Sequence, residues 1–541
     1  MSSCIFEDSD LHLLMQYRKK NSLTLSFAVC CSLPFLFSFP TMRWTFSCLA
    51  LALWPSLATA SCPPKLDVTL RPILIQAAAP KLEGELILPQ AIPKNETILI
   101  HPITMAGIPS AQYTNDSLRA EDDNGDLPLT IFDGTAEGQP SRFWVATRAS
   151  VGPTTIRFTA TPREVELDTK IGPLFDFRAN GNGLLGSMWS ILPVPPSSTV
   201  EYQITLSWDL AQAPANTRPI WTWGEGAEPA TVFGTTGKIL YTFFAVGDIS
   251  SFPSLSSTQD VEASNVEFGM YWLEEPSFNA TTTARFIQEY YTFSAEFWQD
   301  DGSQPYRVFV RHNENVGAGG TALPRSFMFG WHNKNSTDEE NLKFLLAHEI
   351  THNWPTMSGA SAAVSRFGEG MADYYSLRLL WRARLIDMDR FASETNKRVE
   401  SYYRNPTVNM SDTEAYDIAW ESAAAQRISY GRGMIDFLNL DAQLRSQSNG
   451  TKSFDELALQ MLTGCRSDIS SCNNDAWLDI LEEHLGPESL VSYETVASGN
   501  PVIEPISGSL GPCFDVIQTS TSPIVYQWVK KDVVDEVDCM I

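Results

Sequence analysis

Residues 200–210 read VEYQITLSWDL, with apolar side chains at every second position. Val200, Tyr202, Ile204, Leu206, Trp208 and Leu210 fall on one face, and Glu201, Gln203, Thr205, Ser207 and Asp209 on the other. Successive strand side chains point to opposite faces, so this period of two predicts a half-buried strand. TTIRFTAT (154–161) and KILYTFFAVG (238–247) read as further strands. Short strands at this spacing, separated by turn residues, predict an antiparallel, sandwich-like domain over residues 61–262. From about residue 263 the period changes. TTTARFIQEYYTFSAEFW (281–298) carries apolar residues at helical spacing, YRVFVRH (306–312) reads as a strand, and NLKFLLAHEITHNW (341–354) as a helix. Ser336 with Glu339, or Thr337 with Glu340, offers that helix a capping box, and Pro355 a stop. A second helix is expected to begin near Glu369, and a third to run through 433–447. The fold class that follows is α+β and multidomain, with an antiparallel β-rich N-terminal domain and a mainly helical domain over 263–500. Residues 501–541 form a C-terminal tail. The sequence shows no internal repeat.

The first 60 residues stand apart. Met42-Arg43, an apolar run and Ala58-Thr59-Ala60 make the three parts of a secretory signal peptide, with Ser61 as the first mature residue. A second apolar stretch precedes Met42, behind Arg18-Lys19-Lys20. It reads as an upstream extension of the start, or as a signal anchor that would hold the protein at a membrane. Pro34, Pro40, Arg43 and Pro55 interrupt these runs, whereas a span wants about 20 unbroken apolar residues. Secretion also suits six Asn-x-Ser/Thr sequons, at Asn95, Asn115, Asn279, Asn335, Asn409 and Asn449, as glycosylation candidates. Five cysteines follow residue 60. Cys465 with Cys472 could close a short loop and Cys513 with Cys539 could staple the tail, which leaves Cys62 over; the sequence does not settle this pairing.

Composition narrows the function classes. The 541 residues carry 38 Lys and Arg against 64 Asp and Glu, a net charge of −26. Such a surface repels phosphate backbones and argues against nucleic acid as a partner. Nine cysteines are too few for a disulfide scaffold of this length. Trp221 and Trp223 could form an aromatic ligand platform, but packing tryptophans are the expected reading.

The chemistry lies in His348-Glu349-Ile350-Thr351-His352, an H-E-x-x-H motif in a chain with only seven histidines. One helical turn is about 3.6 residues, so positions i and i+4 share a face and both imidazoles reach one zinc ion. A catalytic zinc needs a third protein ligand and an open position for water. Glu369, in RFGEGMADYY, is the candidate. Asp373, four residues on, shares its face and could fix the tautomer of a ligating histidine.

With these motifs in view, the chain resembles the glycyl-aminopeptidase family of gluzincin zinc metallopeptidases, a relative of the aminopeptidase N family. The segments that carry the resemblance are HEITHNW (348–354), FGEGMADYYSLRLLWRARLI (367–386) and ISYGRGMIDFLNLDAQLRSQSNGTKSFDELALQML (428–462). The resemblance implies a thermolysin-like catalytic domain over 263–500 and one zinc ion per chain, bound by His348, His352 and Glu369. It also implies Glu349 as general base and Tyr430 as the group that stabilises the transition state. Arg432 stands where the family has lysine.

Two departures modify the expectation. The family's Gly-Gly-x-Glu-His-x-x-Ser stretch corresponds here to Gly319, Gly320 and Ser326, a substrate-binding strand in which Ala322 and Leu323 replace the acid and the histidine. In the aminopeptidase relatives such an acid helps anchor the substrate's free amine. The C-terminal PDZ domain of many members is expected to be missing. The resulting reading is a secreted zinc metallopeptidase acting on peptide or protein substrates, with aminopeptidase action favoured over endopeptidase action. The rival from another class is a binding protein that keeps the fold without turnover.

Overall fold

In the computed structural model, the alternation at residues 200–210 becomes a strand with alternating burial: Tyr202, Ile204, Leu206 and Trp208 are buried and the residues between them are half-exposed. The structure describes residues 63–532 and Cys539, except 76–78, 137, 167–168, 170–171, 197–198, 255–266, 315–318, 333–338, 355 and 468–470. The proposed signal segment, the capping-box residues Ser336 and Thr337, and Pro355 therefore lie outside the described residues.

Lys65–Ile73 (β1), Lys81–Leu88 (β2), Thr154–Ala160 (β3) and Tyr202–Trp208 (β4) form the centre of a seven-stranded sheet, in the order β4-β1-β2-β3. Its pairs are antiparallel except β1 with β4, which run parallel. These two strands are far apart in sequence, so no tight hairpin constrains their direction. Every second residue of β1 to β4 enters one core, among them Leu66, Val68, Leu86, Ile156, Ile204 and Leu206. The expected strand at 238–247 is only half realised. Gly237–Leu240 is one helical turn, and the strand is Phe243–Gly247 (β5), buried at all five positions.

The helical region begins with a sheet of its own. Phe268–Trp272 (β6), Tyr306–His312 (β7), Gly319–Leu323 (β8) and Ser326–Trp331 (β9) belong to a five-stranded sheet ordered from Ser250–Phe252 through β6-β7-β9 to β8 at the edge. Both faces of this sheet are covered, as the continuous burial of β7 and β9 requires. Val308, Val310, Phe327 and Phe329 face the helices. Phe309 and Met328 face Phe243 and Ala245 of β5.

Five helices build the rest of the core around the site. They are Ala280–Phe297 (α1), Glu339–Thr351 (α2), Ala362–Arg382 (α3), Met388–Tyr403 (α4) and Ala423–Gln447 (α5). The side chain of Asn279 caps α1 by accepting from the Thr282 amide, and Ser361 caps α3 by accepting from Val364. The expected start near Glu369 is therefore corrected to Ala362. The expected start rests on the Glu369-Gly370 pair as the opening of the helix, and that pair lies inside it. Gly370 has a packing role: a Cβ on it would lie 2.6 Å from the Gly433 Cα, so α3 and α5 meet backbone to backbone.

The C-terminal residues pack onto this core. Phe514–Thr521 and Ile524–Lys530 (β10) form a hairpin, and Trp528 exchanges two backbone hydrogen bonds with the Asn396 side chain of α4. Cys465–Cys472 and Cys513–Cys539 are disulfide-bonded. Asn95, Asn115, Asn279, Asn409 and Asn449 are exposed, while Asn335 lies outside the described residues.

Candidate metal centre and its cleft

α2 ends at Thr351, earlier than the expected 354, and His352 sits in the turn that follows. Its amide still bonds the His348 carbonyl at 3.4 Å, so the i, i+4 relation survives the end of the helix. Both Nε2 atoms turn to the same point, 3.1 Å apart. Glu369, in the second turn of α3, brings Oε2 to 3.2 Å from His348 Nε2 and 3.5 Å from His352 Nε2. Two imidazole Nε2 lone pairs and a carboxylate oxygen at this spacing suit a shared cation. A tetrahedral zinc with ligands at about 2.0–2.1 Å sets them about 3.3 Å apart, which these separations match. Among the described residues, His348, His352 and Glu369 are the group of three that could hold a metal ion.

Behind the three ligands lies a second set of contacts. His348 Nδ1 donates to Asp373 Oδ1 at 3.0 Å, so that in the neutral ring a metal ion requires, Nε2 is the free lone pair facing His352 and Glu369. Asp373 is itself held by Arg398 Nε of α4 at 3.1 Å. The sequence marks Asp373, but nothing in it ties residue 398 to residue 373.

The electrostatics follow from burial and these contacts. Burial opposes charging of His348, but its bonds to Asp373 and Glu369 win and push its pKa up to about 10. Glu369 is pulled well below the usual carboxylate range: burial resists ionisation, but His352 and His348 overcome it. Glu349 has no cation bonded to it, and burial raises its pKa. Burial likewise raises that of Tyr430.

A cleft of about 1180 Å³ opens over these residues. Glu349, seated against Gly320, and Tyr430 of α5 both line it. The Tyr430 ring stacks on His348, with centroids 5.5 Å apart and planes 12° from parallel. Arg427, one turn earlier on α5, lies 4.9 Å from the Tyr430 ring. Its i, i+3 spacing to Tyr430 was the available sequence signal for this neighbour.

The expected substrate strand is β8, the edge of its sheet. Gly319 and Gly320 line the cleft. Ser326 does not, and this expectation is corrected. It is buried at the start of β9, where its hydroxyl lies 3.0 Å from that of Thr222. Pro324 is the turn signal that separates these positions, but the residue after it, Arg325, takes the left-handed φ of 62° that a glycine or asparagine would have announced. Trp221 is a core residue whose indole donates to Thr242, whereas Trp223 lines the cleft under the Lys238 ammonium. Arg432 is fully buried away from the cleft, pairing with Asp412 at 2.6 Å and donating to the carbonyls of Val408 and Met410.

The fold is similar to that in the crystal structure of an aminopeptidase N family protein from Idiomarina loihiensis. The TM-score is 0.61 at 14% identity, covering 83% of this chain and 79% of that one. It is also similar to an M1 zinc metallopeptidase from Deinococcus radiodurans, with a TM-score of 0.50 at 13% identity over 82% of this chain and 96% of that one. No protein-family model matches the chain, and no curated protein matches it by sequence. The β-rich sheets, the helical core and the edge strand beside an H-E-x-x-H helix together make the fold of the aminopeptidase N-type zinc metallopeptidases.

Proposed function

We propose that this chain is a zinc-dependent metallopeptidase that hydrolyses peptide bonds with an activated water, acting as an aminopeptidase. The observation that carries the reading is the convergence of His348 Nε2, His352 Nε2 and Glu369 Oε2 on one point, in a cleft also lined by Glu349 and Tyr430. His348, His352 and Glu369 would hold a zinc ion, which would supply Lewis-acid polarisation of a water and of the scissile carbonyl. Asp373 and Arg398 keep the His348 ring in the ligating orientation. The Glu349 carboxylate accepts the proton of the attacking water and delivers it to the leaving amine. The Tyr430 hydroxyl donates to the carbonyl oxygen as negative charge develops there. The free edge of β8 offers backbone groups to an extended peptide, as in strand addition.

A second reading, endopeptidase action by the same chemistry, is favoured by one observation. β8 places Ala322 and Leu323, with no carboxylate, in the cleft wall, so this strand holds no acid to anchor a free N-terminal amine. Secretion is part of the proposal. It is supported by the signal-like segment 42–62, by the two disulfides and by the five exposed sequons. No helix among the described residues is long and apolar enough to cross a membrane.

The test is a peptide library digested with and without a chelator, alongside Glu349→Ala, and read by mass spectrometry. Chelator-sensitive ladders shortening from the N-terminus support aminopeptidase action, and internal cuts the second reading. Full activity in Glu349→Ala, or no hydrolysis by the zinc-loaded wild type, overturns the proposal.

A further inference from the structure

Among the described residues, the cleft also carries a cation without a counter-charge. Lys238, on the single helical turn Gly237–Leu240, reaches the cleft from the β-rich part of the chain, with its ammonium 3.7 Å from the centre of the Trp223 ring. The side chain is half-buried. Among the described residues it has no carboxylate partner, and the charge that acts on it is another cation, Arg325. Arg325 lies in the turn between β8 and β9 and is itself satisfied by Asp300 and by the Tyr291 hydroxyl. Asp300 is therefore already engaged and does not serve Lys238. The carboxylates of the cleft are elsewhere: Glu349, Glu369 and Asp373 surround the metal point, and Glu421 is on the exposed lip.

The strand β8, which lines the same cleft, is equally bare of acids. Side chains alternate along β8. Gly320 faces Glu349, Thr321 turns the other way to accept from the Leu174 amide, and Ala322 returns to the face of Gly320. From Gly320 towards the turn the cleft wall thus runs neutral and then positive. Removing an ammonium from water without pairing it is unfavourable, and an incoming anion restores that loss. The Trp223 ring holds the ammonium in place without neutralising it.

We propose that Lys238 is a specificity residue that binds a carboxylate of the peptide substrate in the part of the cleft lined by Trp223 and the β8–β9 turn. The ligand is the acidic side chain of Asp or Glu, or a peptide's terminal carboxylate. The assignment to a peptide rests on the function proposed above, whereas the anion site itself does not.

Binding without turnover keeps the two separable. The zinc-loaded Glu349→Ala protein is titrated with matched short peptides, followed by calorimetry. One pair differs only by Glu against Gln within amidated peptides, and a second pair is neutral and differs only by a free or amidated C-terminus. The expected result is an affinity at least about tenfold higher for the charged member of one pair. Adding Lys238→Met should bring that ratio close to one, and Lys238→Glu should reverse it so that a Lys-containing peptide binds better than its Gln counterpart. Which pair responds identifies the source of the carboxylate. Equal affinities within both pairs, or a preference that survives both substitutions, overturns the proposal. Wild-type hydrolysis of the neutral peptides is scored separately. Cleavage without charge preference removes the anion site alone, and charge preference without cleavage removes the peptidase reading alone.

Discussion

Gly320 and Glu349 are in contact so close that a Cβ on Gly320 would lie 2.4 Å from both Cγ and Cδ of the glutamate. The carboxylate proposed to move the proton is thus seated against bare backbone of the edge strand. Gly320→Ala leaves β8 free to form, because the three atoms nearest the added methyl all belong to the Glu349 side chain. The Glu349 side chain must give way instead. A displacement of about 1 Å at a reacting group costs on the order of a hundredfold in rate. The expected outcome for Gly320→Ala is a kcat lower by about that factor, with zinc content retained and a Tm within a few degrees of wild type. Steady-state kinetics with metal analysis on one preparation checks it. Loss of zinc together with activity would show that the strand supports the ligands and not the base.

Tyr430 faces the same centre from α5, stacked on His348. Burial keeps its hydroxyl protonated well beyond neutral pH, so it is available as a hydrogen-bond donor. A donor that acts as charge develops on the carbonyl oxygen affects the transition state more than the bound substrate. Tyr430→Phe should therefore lower kcat by about 10²–10³-fold and leave KM within about threefold. A raised KM at unchanged kcat would assign the hydroxyl to substrate binding.

The positions of Glu369 and Tyr430 depend on a contact between their helices. A Cβ on Gly433 would lie 2.4 Å from the Arg366 carbonyl oxygen and 2.8 Å from the Gly370 Cα. Both are backbone atoms of α3, so no side-chain rotation relieves the clash and the helices must separate. Gly433→Ala should cost about 1–3 kcal/mol of stability, as overpacking does. Because α3 carries a proposed metal ligand and α5 the proposed oxyanion donor, zinc affinity and kcat should fall together. Urea unfolding, a competitive chelator titration and kinetics on the same variant test this.

How much of this was legible in the sequence depends on the range of the interactions. The i, i+4 pair His348 and His352 and the alternation of β4 are local, and both survive in the structure as read. Glu369 and Tyr430 were placed through motif context, and the helix pair α3–α5 brings them to the cleft. What stayed hidden arises from tertiary packing. Arg398 meets Asp373 across two helices, Lys238 enters the cleft from the β-rich region, and Ser326 faces Thr222 because β9 is buried on both sides. The Glu369-Gly370 pair set the expected start of α3 too late, since a glycine chosen for close packing has the same letter as one that opens a helix from a turn. The parallel pairing of β1 with β4 likewise has no local signature.

Asp436 gives a pH dependence that involves none of the metal ligands. It lies on α5, buried, with Oδ2 3.2 Å from Arg366 Nη1. Burial raises its pKa to about 6 and the nearby Asp412 adds to the rise, while Arg366 opposes it without prevailing. The arginine is shared, since its Nε pairs with Asp412 at 2.9 Å. Asp412 in turn pairs with Arg432. The folded pKa lies above the ordinary value of 3.8. The folded state thus holds the Asp436 proton between about pH 4 and pH 6 while the unfolded chain has released it. Stability depends on pH through the difference in bound protons, so this residue lowers stability as pH rises through that window and has a constant effect above it. A shift of one unit corresponds to about 1.4 kcal/mol, which limits the effect of Asp436 to about 3 kcal/mol. Asn at this position keeps the shape and removes the titration. The stability of Asp436→Asn relative to wild type should therefore rise between pH 4 and pH 7 by about 1–3 kcal/mol, whatever its value at pH 4. Paired urea titrations across that range measure it. A difference that stays flat, or falls, would show that Arg366 keeps Asp436 ionised in the folded state throughout.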